Sequence, residues 1–162
     1  QVISMISIEG FLIPDDIRFS SKSKKYDKPD EFHNVILDEV KKHYNDNEIM
    51  KNYYSRLKQW SPFALFTFSR YAYDKTRAQE MSRDFLKLAC QKVYIYGEKS
   101  LKNTEKKFLE NNQEITVFSY DCQHWVMNEK PEVYDDIASY IDTLHNHQCK
   151  IWQRRNRKWL RI

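Results

Sequence analysis

Three side chains that can take part in acid–base chemistry each follow a segment that the sequence predicts to be a β-strand. They are Glu9, after the apolar segment VISMISI; Glu98, after KVYIYG; and His124, after EITVFSY. In open α/β sheets, ligands bind beyond the carboxyl ends of the strands, so parallel neighbouring strands would bring these side chains to one rim. A carboxylate and an imidazole there can form the orienting half of a nucleophile–His–acid triad. A lone histidine in a turn is more often structural, and the residues around it must decide.

The other polar motifs point less clearly to chemistry. The stretch GEKS lacks the GxxxxGK[ST] frame of a phosphate-binding loop, and no HExxH occurs. His145 and His147 are two residues apart, so they would point to different faces of a helix and make a poor metal pair. His33 and His43 lie in segments predicted to be helical and are expected to face solvent. Four aromatic side chains could line an acyl pocket, although core packing is favoured: Phe63, Phe66, Tyr71 and Tyr73.

The order of predicted elements indicates an α/β fold with a mainly parallel sheet. Strands are expected over residues 2–8, 92–97 and 114–120, and the last two are joined by a helix in residues 103–112. A polar loop is expected over residues 20–29. About four aromatic-rich helices are expected between the first two strands, over residues 29–44, 47–60, 61–76 and 78–89. Ser61 followed by Pro62 predicts a helix start, and a final helix is expected from Pro131.

The composition predicts a globular chain with a reduced, cytoplasmic environment. Of the 162 residues, 41% are hydrophobic and 31% are charged, and no apolar run is long enough to cross a bilayer. Cys90, Cys122 and Cys149 are odd in number and lack CxxC spacing, so they are expected to be free thiols. Residues 150–162 carry six basic residues and no acid, so the rest of the chain carries −2 of the net +4. The basic segment is expected to be an unstructured or unrelated tail, and no nucleic-acid partner is expected.

The C-terminal half of the chain resembles the end of an α/β-hydrolase. The residues that carry the resemblance are VYIYGEKS, a helix, and then ITVFSYDCQHWVMNEKPEVYDDIASYI. The family ends with a strand, a helix, a last strand, a turn that holds the catalytic histidine, and a closing helix. The stretch VISMISIEGFLIPDD resembles the sixth strand and the entrance to the lid, and residues 20–89 match the helical lid. The resemblance covers residues 2 to about 143, and it implies that residues 1–149 are the C-terminal part of a doubly wound hydrolase domain.

The resemblance assigns roles to particular residues. His124 falls on the catalytic base, with Gln123 in place of the family's usual glycine. The acid usually follows the seventh strand in a GxxD step, and Ser100 stands where that Asp would be. Some members place the acid after the sixth strand, where Glu9 stands. Glu9 is therefore the favoured acid and Glu98 the second choice.

The nucleophile is absent from the sequence. The GxSxG elbow of the family needs glycines around a strained turn, and the chain holds only Gly10 and Gly97. In the family the elbow precedes the sixth strand, so it would lie before residue 1. The resemblance thus implies a fragment of a serine-type hydrolase that supplies the histidine and the acid.

Two functions remain open at this point. The first is hydrolysis of an ester, amide or related small acyl substrate, with no cofactor and no metal. The second is a non-catalytic binding or partner protein on a hydrolase-like scaffold. In either case the first strand would present an unpaired edge, so self-association through that edge is expected.

Overall fold

The computed structural model describes residues 2–10, 12–13, 17, 19–44 and 47–156, and for residues 145–156 it gives the helical backbone only. Three strands and the helices between them make an α/β fold. In chain order the elements are β1 (Ser4–Ile8), a 3-10 helix (Ser20–Lys25), α1 (Pro29–Lys41), α2 (Glu48–Gln59), α3 (Pro62–Arg77), α4 (Glu80–Lys87), β2 (Gln91–Gly97), α5 (Asn103–Asn111), β3 (Ile115–Tyr120), α6 (Val126–Glu129) and α7 (Val133–Asn156).

The three strands form one parallel sheet in the order β1-β2-β3. Ile8 pairs with Ile95, and Gly97 pairs with Tyr120, so all three strands end at the same rim. The α/β class and the parallel sheet predicted from the sequence are therefore confirmed. Strand β1 is not covered on both faces, since none of its residues is buried and Met5 is 46% exposed.

Strand β2 is the central strand of the sheet and is buried on both faces. Val93 and Ile95 are fully buried on one face, where they form a cluster with Cys122, Val126 and Val133. Tyr94 is fully buried on the other face, in a cluster that includes Phe85 of α4 and Leu109 of α5. The carboxyl end of β2 is held between these two clusters, so the rim beside it is a rigid place for functional groups.

The helical layer, defined here as the 3-10 helix with α1, α2 and α3, has a core of its own. Its buried residues are Phe32, Ile36, Val40, Leu57, Leu65 and Phe66. Arg70 of α3 donates to the carbonyl oxygen of Tyr26 at 2.7 Å and joins α3 to the segment after the 3-10 helix. Ser61 accepts a hydrogen bond from the N–H of Ala64, with Pro62 in the first turn, as the sequence predicts for this helix start.

Several expectations are wrong in detail. Residues 20–25 of the predicted polar loop form a 3-10 helix. His33 does not face solvent: it is 7% exposed, and its Nε2 lies 2.9 Å from the carbonyl oxygen of Leu57. Of the aromatic row expected to pack in the core, Phe66 does so, whereas Phe63 and Tyr71 are 69% and 57% exposed. The buried residues of α3 are Leu65, Phe66, Ser69, Ala72 and Thr76, so Phe63 and Tyr71 lie outside its buried face.

The end of the chain also differs from expectation. Helix α7 continues to Asn156, so residues 150–156 are helical rather than unstructured. Residues 157–162 lie outside the described residues, as do the side chains of His145, His147 and Cys149. Cys90 and Cys122 are free thiols, as predicted.

Candidate active site

Glu9 and His124 meet at the rim of the sheet. The Oε1 atom of Glu9 lies 3.6 Å from Nδ1 of His124, although 115 positions of sequence separate the two. The carboxylate side chain is 10% exposed and the imidazole 57% exposed. In this pair the Glu9 side chain is buried, and the His124 ring is accessible to solvent.

The backbone of Glu9 is held in an unusual conformation. Its φ angle is 48°, in the left-handed region that costs a non-glycine residue about 1–2 kcal/mol. The N–H of Glu9 continues the sheet by donating to the carbonyl oxygen of Ile95 at 2.9 Å. Strand β1 therefore ends in a sharp turn that directs the Glu9 side chain along the rim towards β3.

His124 is positioned by a tight loop after β3. The N–H of Cys122 donates to the carbonyl oxygen of Tyr120 at 2.8 Å, and the N–H of Lys99 donates to that of Cys122 at 3.1 Å. The loop passes so close to Gly97 that a Cβ atom there would overlap the carbonyl oxygen of Gln123. Gly97 is required for this close approach, which fixes the segment immediately before His124.

Burial controls the ionisation of the pair. Desolvation raises the pKa of Glu9 to about 7, against the lowering effect of hydrogen bonds from the N–H groups of Val126 and Gly97 and from the Ser100 hydroxyl. Desolvation of its inner side also lowers the pKa of His124, even though much of the ring is exposed. At neutral pH the imidazole is therefore predominantly uncharged, as a general base must be.

The structure separates Glu9 from the other candidate acid. Glu98 is exposed, accepts a hydrogen bond from the Ser119 hydroxyl at 2.8 Å, and makes no ion pair with His124, both residues being in the described part of the chain. The Oγ atom of Ser100 lies 3.5 Å from Oε1 of Glu9 and 2.8 Å from the carbonyl oxygen of Gly97. Sequence reasoning noted Ser100 only as a departure from the motif and missed its contact with Glu9.

A cavity of about 620 Å³ lies between the helical layer and the sheet rim, and Glu9 and His124 form part of its wall. Its volume suits a small organic ligand. The lining is mostly apolar and aromatic, and the residues that give it this character are Phe19, Met50, Tyr53, Trp60, Leu65, Phe68, Tyr94, Tyr96, Leu101 and Trp125. A second cavity of about 340 Å³ reaches the same pair from the side of Ile8 and Met127.

Several lining residues were not singled out from the sequence. Phe68 lies between Phe66 and Tyr71 in the sequence, and Trp60 lies between two helices. Tyr53 packs on Trp125 with ring centroids 5.0 Å apart, which ties α2 to the residue next to His124. Among these lining residues, Trp125 alone could be found from the sequence, because it is next to His124. The positions of Phe68, Trp60 and Tyr53 at the cavity depend on how the helices pack over the rim.

No family model, curated protein or solved structure matches the chain. Over the described ranges, no helix is long and apolar enough to cross a membrane. Within the same ranges, no three His, Cys, Asp or Glu side chains are grouped closely enough to hold a metal ion. What the site contains is a carboxylate–histidine pair at the carboxyl ends of parallel strands, beside an apolar cavity.

Proposed function

We propose that Glu9 and His124 are the acid and the general base of a serine-type hydrolase that cleaves an ester, amide or related acyl bond. The observation that carries this proposal is the 3.6 Å approach of the buried Glu9 carboxylate to Nδ1 of His124. In a Ser–His–acid triad the carboxylate orients the imidazole through Nδ1, and Nε2 takes the proton of the nucleophile and returns it to the leaving group. The uncharged state of His124 at neutral pH supports this role.

The nucleophile is proposed to come from chain that precedes Gln1. The sequence contains no GxSxG motif, and β1 pairs only with β2 among the described strands. A further strand can therefore pair with the other edge of β1 and end beside Glu9. The second cavity leaves space there, next to His124, for a nucleophile to approach.

The larger cavity is proposed to hold the acyl group. Its aromatic and aliphatic lining favours an apolar group, because burying such a group contributes roughly 25 cal/mol per Å² of apolar surface. The helical layer covers the cavity, and exclusion of water there would strengthen electrostatic interactions at the reacting atoms. This role corresponds to the lid that the sequence resemblance assigns to residues 20–89.

The test is ester hydrolysis by the protein encoded by the complete reading frame. We expect turnover of nitrophenyl esters, with kcat lowered at least about 100-fold by His124→Ala and by Glu9→Gln. Glu98→Gln is the matched control, since this exposed carboxylate contacts Ser119 and not His124. Full activity of Glu9→Gln together with loss of activity in Glu98→Gln would contradict the assignment of the acid.

The 162-residue chain alone is expected to be inactive because it lacks the nucleophile. Turnover by this chain that is abolished by His124→Ala would show that one of its own residues attacks the substrate. The proposed origin of the nucleophile would then be wrong.

The second candidate function is ligand binding without catalysis on the same scaffold. It is favoured by Gln123 and Ser100 standing where the family has glycine and aspartate. A reading frame that replaces the expected upstream serine, and a protein that binds acyl compounds without turnover, would support this function over hydrolysis.

A further inference from the structure

Glu9 occupies a backbone conformation that needs support from its surroundings. Its positive φ angle is unfavourable for a residue with a Cβ atom, and its carboxylate is largely removed from water. Conformations of this kind persist only where neighbouring groups hold them. The turn at Glu9 and Gly10 must therefore be held by groups packed against it.

The Tyr94 side chain reaches this turn from the centre of the sheet. Its hydroxyl oxygen lies 2.9 Å from the carbonyl oxygen of Gly10, which also accepts the N–H of Leu12 at 3.0 Å. The same hydroxyl lies 2.5 Å from Oε1 of Glu105, in the first turn of α5. Tyr94 is 0% exposed and Glu105 is 6% exposed, so both are buried in the wall behind Glu9.

The hydroxyl of Tyr94 is more than a packing group. A phenylalanine would fill the same space between Leu12, Phe85 and Leu109, and it would carry no polar atom into the core. A buried hydroxyl and a buried carboxyl are retained at low cost only where hydrogen bonds satisfy them. Here those bonds join the residue after Glu9 to α5.

We propose that Tyr94 and Glu105 are positioning residues that hold the Glu9–Gly10 turn and thereby keep the Glu9 carboxylate directed at His124. The inference rests on the proposed function of Glu9 as the acid that orients His124. In this arrangement both residues act on His124 through the turn. The pair also explains why the first turn of α5 buries a carboxylic acid.

The test measures how strongly Glu9 affects His124 when the hydroxyl is removed. The ratio of the two neutral tautomers of His124 is read at pH 8 from its ring-nitrogen NMR signals, assigned by their loss in His124→Ala. At this pH Glu9, with a pKa of about 7, is mostly ionised and favours the tautomer that carries the proton on Nδ1, so Glu9→Gln is expected to lower the share of this tautomer about tenfold in the wild-type background. In the Tyr94→Phe background the same change is expected to have less than a third of this effect.

Two further variants control for a general loss of structure. Tyr140→Phe removes a hydroxyl whose oxygen is buried without a hydrogen-bond partner among the described residues, so the full tenfold effect is expected to remain. Glu105→Leu removes the other anchor of the Tyr94 hydroxyl and is expected to reduce the effect as Tyr94→Phe does. Thermal melts of all variants verify that they are folded.

The outcomes separate this inference from the proposed function. A full effect of Glu9→Gln in both the Tyr94→Phe and the Glu105→Leu backgrounds overturns the positioning role but leaves the Glu9–His124 pair intact. Absence of any effect of Glu9→Gln in the wild type overturns the pair and the positioning role together. The ester assay on the complete reading frame is independent of these NMR measurements and tests hydrolysis alone.

Discussion

At the scale of single residues, Glu9 links the chemistry of the site to the stability of the fold. Burial raises the pKa of Glu9 from 4.5 to about 7, so the folded chain binds its proton more tightly than the unfolded chain does. Between these two values the folded state holds more protons, and the free energy of unfolding falls as the pH rises. Glu9 is thus a group whose ionised form lowers the stability of the fold.

Glu9→Gln is therefore expected to stabilise the chain above pH 7 relative to the wild type. The gain should be small near pH 4.5 and grow to about 3 kcal/mol by pH 8, which is the value that follows from the change in pKa. Urea unfolding of both proteins from pH 4.5 to pH 8 measures it. A stability difference that does not depend on pH over this range would contradict the burial of an ionisable Glu9.

The two glycines provide a second prediction at this scale. A Cβ atom on Gly97 would overlap the carbonyl oxygen of Gln123 and lie 2.8 Å from that of Cys122, and backbone atoms cannot move aside easily. A Cβ atom on Gly10 would overlap only the hydroxyl of Ser7, a side chain that can rotate. We expect Gly97→Ala to cost about 2–3 kcal/mol of unfolding free energy and Gly10→Ala about 1 kcal/mol or less.

Urea unfolding checks both glycine substitutions, and the double variant Ser7→Ala/Gly10→Ala serves as the control. Removing the Ser7 hydroxyl should recover most of the stability lost in Gly10→Ala. Equal losses for the two single variants would show that the loop before His124 is not held against Gly97.

At the scale of elements, a buried histidine joins two helices of the helical layer. Nε2 of His33 in α1 lies 2.9 Å from the carbonyl oxygen of Leu57, near the end of α2, which also accepts the N–H of Trp60 at 3.2 Å. His33→Ala should remove this hydrogen bond and leave a void, at a cost of about 2–3 kcal/mol.

His43→Ala is the matched control for this substitution. His43 is exposed just beyond the end of α1, so its replacement should change the unfolding free energy by no more than about 0.5 kcal/mol. Thermal or urea unfolding of both variants measures the difference. A similar, small effect of the two substitutions would contradict a structural role of His33.

The elements show which properties can be predicted from the sequence alone. The three strands, the start of α3 at Ser61 and Pro62, and the alignment of Glu9 with the strand ends follow from apolar segments and local signals. The burial of His33 and the exposure of Phe63 do not, because both depend on which face of a helix meets its neighbour. Tertiary packing decides that face, and a single sequence carries it only weakly.

The candidate site also has features that the sequence predicts and features that it does not. That Glu9 and His124 share a rim follows from the order of parallel strands, which the sequence predicts. The contact of Ser100 with Glu9 and the support from Tyr94 could not be predicted. Both rest on side-chain directions at the ends of strands, where a difference of one residue changes the neighbours.

At the scale of the whole molecule, β1 leaves one edge of the sheet unpaired among the described strands. Val2 and Met5 are 68% and 46% exposed there, although their segment is apolar. Unpaired apolar strands associate with other strands, so the 162-residue chain is expected to form dimers or larger species at micromolar concentrations. Sedimentation velocity over a concentration series measures this.

Met5→Lys should shift the association of the chain towards monomer, since a charged residue on an edge strand opposes pairing. Lys106→Met, on α5 and away from the strand edge, changes a charge of the same kind and should leave the association as it is. A chain that is monomeric at all concentrations and melts in one sharp transition would contradict an available edge.

The separate cores have a consequence for how the larger cavity responds to its contents. Among the described residues, the buried cluster of the helical layer around Phe32 is separate from the two clusters of the sheet around Tyr94 and Val93. We therefore expect the layer to shift as a unit while each core stays intact, with the ring contact of Tyr53 and Trp125 kept. We expect the larger cavity to change its width with ligands of different length, so that affinity falls gradually as the ligand grows longer or shorter.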